Sequence, residues 1–155
     1  MSFLFYFLAM VIILFGMILV ANTAGLNPIL FYDFVSLIFV FEPTIFIALA
    51  SFTIGGVFRS IGLAFIDTKD KLILVKAVDC LNEMKSTSIA SGFIGTINSV
   101  IVVLFLKFIV NDGIQKLSLS LGVSLIPTLY GLIAGYLLFE SMKKNVQRQL
   151  DNLNS

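Results

Sequence analysis

Thr96 and Thr128 stand inside uncharged apolar stretches, each within a stripe of small and hydroxylic residues. In the first stretch Ser88, Gly92, Gly95, Thr96 and Ser99 recur at spacings of three and four, and in the second Ser120, Ser124, Thr128, Gly131 and Gly135 do the same. That period puts each set on one helix face. A threonine hydroxyl offers a donor and an acceptor to water or a carboxyl group. In an apolar helix it can instead bond the carbonyl four residues back. A lipid-facing surface gains nothing from Ser, Thr or Gly, whereas a tight helix contact or a narrow polar path does. The stripes are therefore read as helix-contacting or pore-lining, with Thr96, Thr128, Ser99, Ser124, Gly92, Gly95 and Gly131 as the candidate lining. Pro127, directly before Thr128, gives no N–H and frees a carbonyl near Val123.

Glu42 is the one acid well inside an apolar segment, beside Pro43. An ionisable group there is costly and suggests function, so Glu42 is a candidate ion-access acid. Water access at an interface or subunit packing is the alternative. Asp33 and Glu140 lie at segment ends and are expected to be solvated. The chain has no histidine, which removes imidazole chemistry, and one cysteine, Cys80, in a polar link where it can form no internal disulfide. A metal site built from nitrogen or sulfur ligands is not expected, nor are an enzymatic role, a cofactor or, at a net charge of +1, a nucleic-acid partner.

The elements that must hold these residues follow from composition. Of 155 residues, 59% are hydrophobic and 12% charged, too few polar groups to cover a soluble fold. Four segments reach the roughly 20 apolar residues that a bilayer requires, at about 3–21, 34–58, 86–106 and 117–139. The first has no basic residue before it, so it reads as a span and not as a signal peptide, although Ala21 and Ala24 give a weak cleavage pattern. The fold class is thus an all-α membrane protein of one domain with four transmembrane helices.

Arg59, Lys69, Lys71, Lys76 and Lys85 fall in the link 59–85, and Lys143, Lys144 and Arg148 in the tail; only Lys107 and Lys116 lie on the other side. The positive-inside rule places the central link and both termini in the cytoplasm. Asn27-Pro28 and Asn111-Asp112-Gly113 mark the external turns. Asp67 or Thr68 is expected to cap a helix from Lys69, with Leu72, Val75, Val78, Leu81 and Met84 as its apolar face. Without Pro or Gly between Asp67 and Ser91, that helix runs on into the third span, and Met142–Leu150 extends the fourth. Both project into the cytoplasm.

With the spans placed, the chain resembles the MotA/TolQ/ExbB proton-channel family in its MotA-like, four-span form. Tyr32-Asp33-Phe34-Val35-Ser36-Leu37, with Val40 and Pro43-Thr44, looks like the Asp-x-x-Ser-Leu stretch entering the second span. Gly92-Phe93-Ile94-Gly95-Thr96-Ile97 is similar to the Gly-Leu-x-Gly-Thr-Val motif, and Thr128-Leu129-Tyr130-Gly131-Leu132 to the Thr-Leu-Tyr-Gly-Leu stretch. The resemblance implies an ion-channel and motor subunit of the bacterial inner membrane. It implies five copies around a dimer of a single-span partner whose aspartate carries the ion, with Thr96 and Thr128 facing the pore. Proton or sodium flow would then drive rotation or envelope work. Ile89 and Ser141 stand where MotA-type chains usually carry proline, and the central link is shorter than a flagellar torque domain. Which process is powered stays open. A small proton-coupled exporter using Glu42 and a non-conducting membrane scaffold are the alternatives.

Overall fold

The computed structural model describes residues 33–109 and 114–153, together with Leu8, Val11, Ile12, Phe15, Gly16, Ile18, Leu19 and Thr23, which are helical. The expected first span and both external turns lie largely outside the described residues, as do the side chains of 106–116. The rest is helical: α1 Phe34–Ser51, α2 Ile54–Gly62, α3 Lys71–Ile109, α4 Ile114–Ser124, α5 Ile126–Leu132, a π-helical segment Ile133–Phe139, and α6 Glu140–Asn152. Among the described residues, three stretches are long and apolar enough to cross a membrane: Phe34–Ser51, Lys71–Phe105 and Leu117–Asn152.

Local chemistry sets the boundaries. Asp33 caps α1, its carboxylate accepting the Val35 N–H at 3.0 Å and the Ser36 hydroxyl at 2.5 Å. Such a cap satisfies donors that the first helical turn cannot use itself. Pro43 stays inside α1, where Thr44 donates its hydroxyl to the Val40 carbonyl at 2.6 Å. The expected span 34–58 is not one helix. Phe52 and Thr53 are extended, and the Thr53 hydroxyl accepts the Gly56 N–H at 3.2 Å, so a second helix starts there. Asp70, and not Asp67 or Thr68, caps α3, because its carboxylate reaches the N–H groups of Leu72 and Ile73 at 3.1 and 3.3 Å. From there α3 runs 39 residues without a break, as the absence of early Pro and Gly requires.

α3 is the axis of the molecule, and α1, α2, α4, α5, the π segment and α6 all pack on it. Its packed face in the first half is Leu74, Ala77, Leu81 and Met84, where the pattern predicted one led by Leu72 and Val75. Those two are 65% and 39% exposed, because Leu63 and Ala64, just after α2, and Met142 and Val146 of α6 meet the other side of the helix. Cys80 likewise lies in α3, fully buried, and not in a loop.

The tail is fastened to the end of α2. Gln149 donates to the Leu63 carbonyl at 2.9 Å and accepts the Thr68 N–H at 3.2 Å, while Asn145 donates to the Ala64 carbonyl at 3.4 Å. These bonds serve carbonyls that a helix C-terminus leaves without intrahelical donors. Glu140 differs from the solvated acid expected. Its side chain is 16% exposed, 3.0 Å from Lys85, 2.9 Å from Lys143 and 3.7 Å from Lys144. Lys85 also lies 4.9 Å over the Tyr136 ring, tying α3 to the fourth segment.

Candidate functional site

Two glycine pairs bring α3 against α5 and the π segment. A Cβ on Gly92 would lie 2.7 Å from the Pro127 carbonyl and 3.0 Å from the Gly131 Cα. A Cβ on Gly131 would lie 2.5 Å from the Ser88 carbonyl, and one on Gly95 2.9 Å from the Pro127 ring. Gly135 seats the Ile89 side chain in the same way. The conformational freedom of glycine is not what these positions use; its missing side chain is. Gly92, Gly95 and Gly131 are buried between helices of one chain, which is the close-packing reading of the stripes.

That approach lets the two threonines meet. The Thr96 and Thr128 hydroxyls are 2.6 Å apart, and both residues are half-buried. Thr128 lies in the first turn of α5, after a break at Leu125 that Pro127 suits by standing at the start of the new helix. The free N–H of that turn needs an acceptor. The Thr128 N–H finds it in the Thr96 hydroxyl at 3.1 Å, and the Thr128 hydroxyl also reaches the Gly92 carbonyl at 3.4 Å. Thr96 thus caps a helix that is not its own. Ser124, the neighbouring candidate, is buried and donates to the Ser120 carbonyl at 2.9 Å.

Beside the pair, a cavity of about 480 Å³ opens between α1, α3 and α4; Asp33, Ser36, Asn98, Ser99, Ser120 and Ser124 line it together with a larger apolar surface that includes Val102, Val103, Val123 and Pro127. The helix levels explain why Asp33 is there. Ser91 donates to the Val40 carbonyl at 3.2 Å, and Phe39 faces Gly95. α1 and α3 are therefore antiparallel, and Asp33, seven residues before Val40, falls level with Asn98, seven after Ser91. The start of α1 thus lies level with the middle of the third apolar segment. Tyr130 adds its hydroxyl, which accepts the Asp33 N–H at 3.3 Å.

The structure therefore brings together Thr96, Thr128, Ser99 and Ser124, with the three glycines behind them. It does not bring Glu42 to them. The packed face of α1 is Ser36, Val40, Thr44 and Ala48, and Glu42 is exposed on the other side. Sequence reasoning left Asp33 and Ser36 outside the site. The signal that could have found them is their three-residue spacing at a helix start, which turns one carboxylate oxygen toward the serine. No protein-family model, curated protein or solved structure matches the chain.

Proposed function

We propose that the chain is a membrane subunit that passes a small cation, the proton first among them, along hydroxyl and carbonyl groups at the level of Thr96 and Thr128. The observation that carries this reading is the bonded threonine pair, with a cavity beside it into which Asp33, Ser36, Asn98, Ser99, Ser120 and Ser124 bring oxygens. A cation crossing hydrocarbon needs groups that replace its hydration, because bare charge at the bilayer centre is very costly. Carboxylate, amide and hydroxyl oxygens are such groups, and they suit hard cations such as sodium as well as hydronium.

The finer reading is that of a motor subunit in a bacterial inner membrane: a pentamer around a dimer of a single-span partner whose aspartate accepts and releases the ion. What supports it is the resemblance of three motifs and the chemistry of the described spans. At the threonine level these offer hydroxyls and no carboxylate apart from Asp33, which is already engaged as a helix cap. An ion relay through a central lumen then requires an acid from elsewhere. Gly92, Gly95 and Gly131 give such a lumen thin, closely packed walls, and Thr96, Thr128 and Ser99 supply its oxygens.

Reconstitution tests this reading. Vesicles holding the chain alone are expected to show no proton flux above empty vesicles, and vesicles holding the chain with a co-purified single-span partner to show flux. In the complex, Thr96→Val and Thr128→Val are each expected to cut flux at least tenfold. Unchanged flux in both variants and in the double variant overturns the assignment.

A further inference from the structure

A second cavity of about 480 Å³ lies where α1 ends and α2 begins. Ser51, Thr53 and Arg59 line it from the α1–α2 break and α2, and Lys76 lines it from α3. Lys85, Lys143 and Lys144 all turn to Glu140, whereas neither Arg59 nor Lys76 makes an ion pair or side-chain hydrogen bond among the described residues. Two cations from two separate elements thus border one cavity without an anion to separate them.

The depth of that cavity follows from its place in the chain. Ser51 and Thr53 end the apolar run of α1, and Arg59 and Lys76 belong to the basic link 59–85, whose charge bias assigns it to the cytoplasmic membrane edge, where anionic headgroups lie. Phe52, Leu63 and Ile73 give the same cavity an apolar wall beside the hydroxyls of Ser51, Thr53 and Ser60. A seat with two cations, three hydroxyls and an apolar wall matches a ligand with a phosphate at one end and hydrocarbon at the other. Arg59 brings a planar fork that fits phosphate oxygens in pairs, and Lys76 a compact charge.

We propose that this cavity holds the phosphate of an anionic phospholipid, clamped between Arg59 and Lys76, with the start of its acyl chains against Phe52, Leu63 and Ile73. The inference rests on the membrane reading of the chain and not on ion conduction. The test is native mass spectrometry of the full chain in detergent, titrated with phosphatidylglycerol, phosphatidylcholine or inorganic phosphate. Phosphatidylglycerol adducts are expected at least tenfold more readily than phosphatidylcholine adducts, with the preference lost in the Arg59→Gln/Lys76→Gln variant. Both side chains are exposed, so helicity by circular dichroism should match wild type, and Arg59→Lys alone should retain most binding. The Lys69→Gln/Lys71→Gln variant, which removes equal charge outside the cavity, is expected to keep the preference. Equal uptake of the two lipids, equal loss in both double variants, or inorganic phosphate displacing the lipid at comparable concentration overturns the proposal. The last outcome would assign the seat to a free phosphate compound.

Discussion

Replacing Gly131 by alanine sets two effects of known size against each other. In an exposed helix, Gly→Ala stabilises by about 1 kcal/mol through backbone entropy. At Gly131 the added methyl would stand 2.5 Å from the Ser88 carbonyl and 3.0 Å from the Gly92 Cα. Both obstacles are backbone of the facing helix, so no side chain can rotate aside, and the helices must separate by roughly 1 Å to restore van der Waals contact. Overpacking of that kind costs about 1–3 kcal/mol. The separation also stretches the 2.6 Å hydroxyl pair one turn away, a bond worth about 1 kcal/mol. The steric cost should win, leaving Gly131→Ala about 1–3 kcal/mol less stable than wild type. Gly122 is the internal control: it is exposed in α4, and a methyl added there would meet nothing within 4 Å, so Gly122→Ala should gain up to about 1 kcal/mol. Gly135→Ala falls between, because its closest obstacle is the flexible Ile89 side chain. Reversible unfolding in mixed micelles by increasing SDS fraction, followed by circular dichroism, ranks the three. If Gly131→Ala is as stable as Gly122→Ala, the close crossing of α3 and α5 is refuted.

The two threonine variants should differ in stability. Both variants lose the hydroxyl pair; Thr96→Val also leaves the Thr128 N–H without its acceptor, whereas Thr128→Val also loses only the longer contact to the Gly92 carbonyl, so the same unfolding assay should show Thr96→Val lower by up to about 1 kcal/mol. Glu140→Gln leaves Lys85 and Lys143 without their carboxylate; the loss of about 1–3 kcal/mol should appear as faster amide exchange in α6 while the 86–106 part of α3 stays protected. Asp33→Asn keeps a capping side chain and removes the charge, so stability should stay within about 0.5 kcal/mol and flux through the complex should stay near wild type. A tenfold loss of flux would make Asp33, and not an acid from elsewhere, the ion carrier.

Much of this architecture was legible because it depends on local pattern. The spacing of Gly92, Gly95, Gly131 and Gly135 marked the faces that α3 and the fourth segment turn toward each other, and the unbroken run from Lys71 marked α3 itself. The features that were not legible depend on partners distant in sequence. Leu72 and Val75 look as apolar as Leu74 and Ala77; only the docking of Met142 and Val146 decides which pair is covered. The end of α1 at Ser51 was hidden because Phe52 and Ile54 continue the hydropathy without a dip, while the Thr53 hydroxyl and Gly56 N–H that start α2 are a polar detail inside an apolar run. Asp33 was misplaced because its level is set by the Ser91–Val40 contact and not by its distance from a segment end.

The unbroken length of α3 has a mechanical meaning. Its 39 residues make a rod of about 58 Å, nearly twice the hydrocarbon thickness, with Thr96 roughly 37 Å from the Lys71 end. As a lever pivoting at the threonine level, it turns a tilt of about 5° into a sweep of roughly 3 Å at that far end. The Glu140–Lys85 pair and the Lys143–Asn82 bond couple the tail to the same arm. A displacement too small to open a hydrogen bond near the pivot therefore becomes, at the far end, a shift as wide as a water molecule.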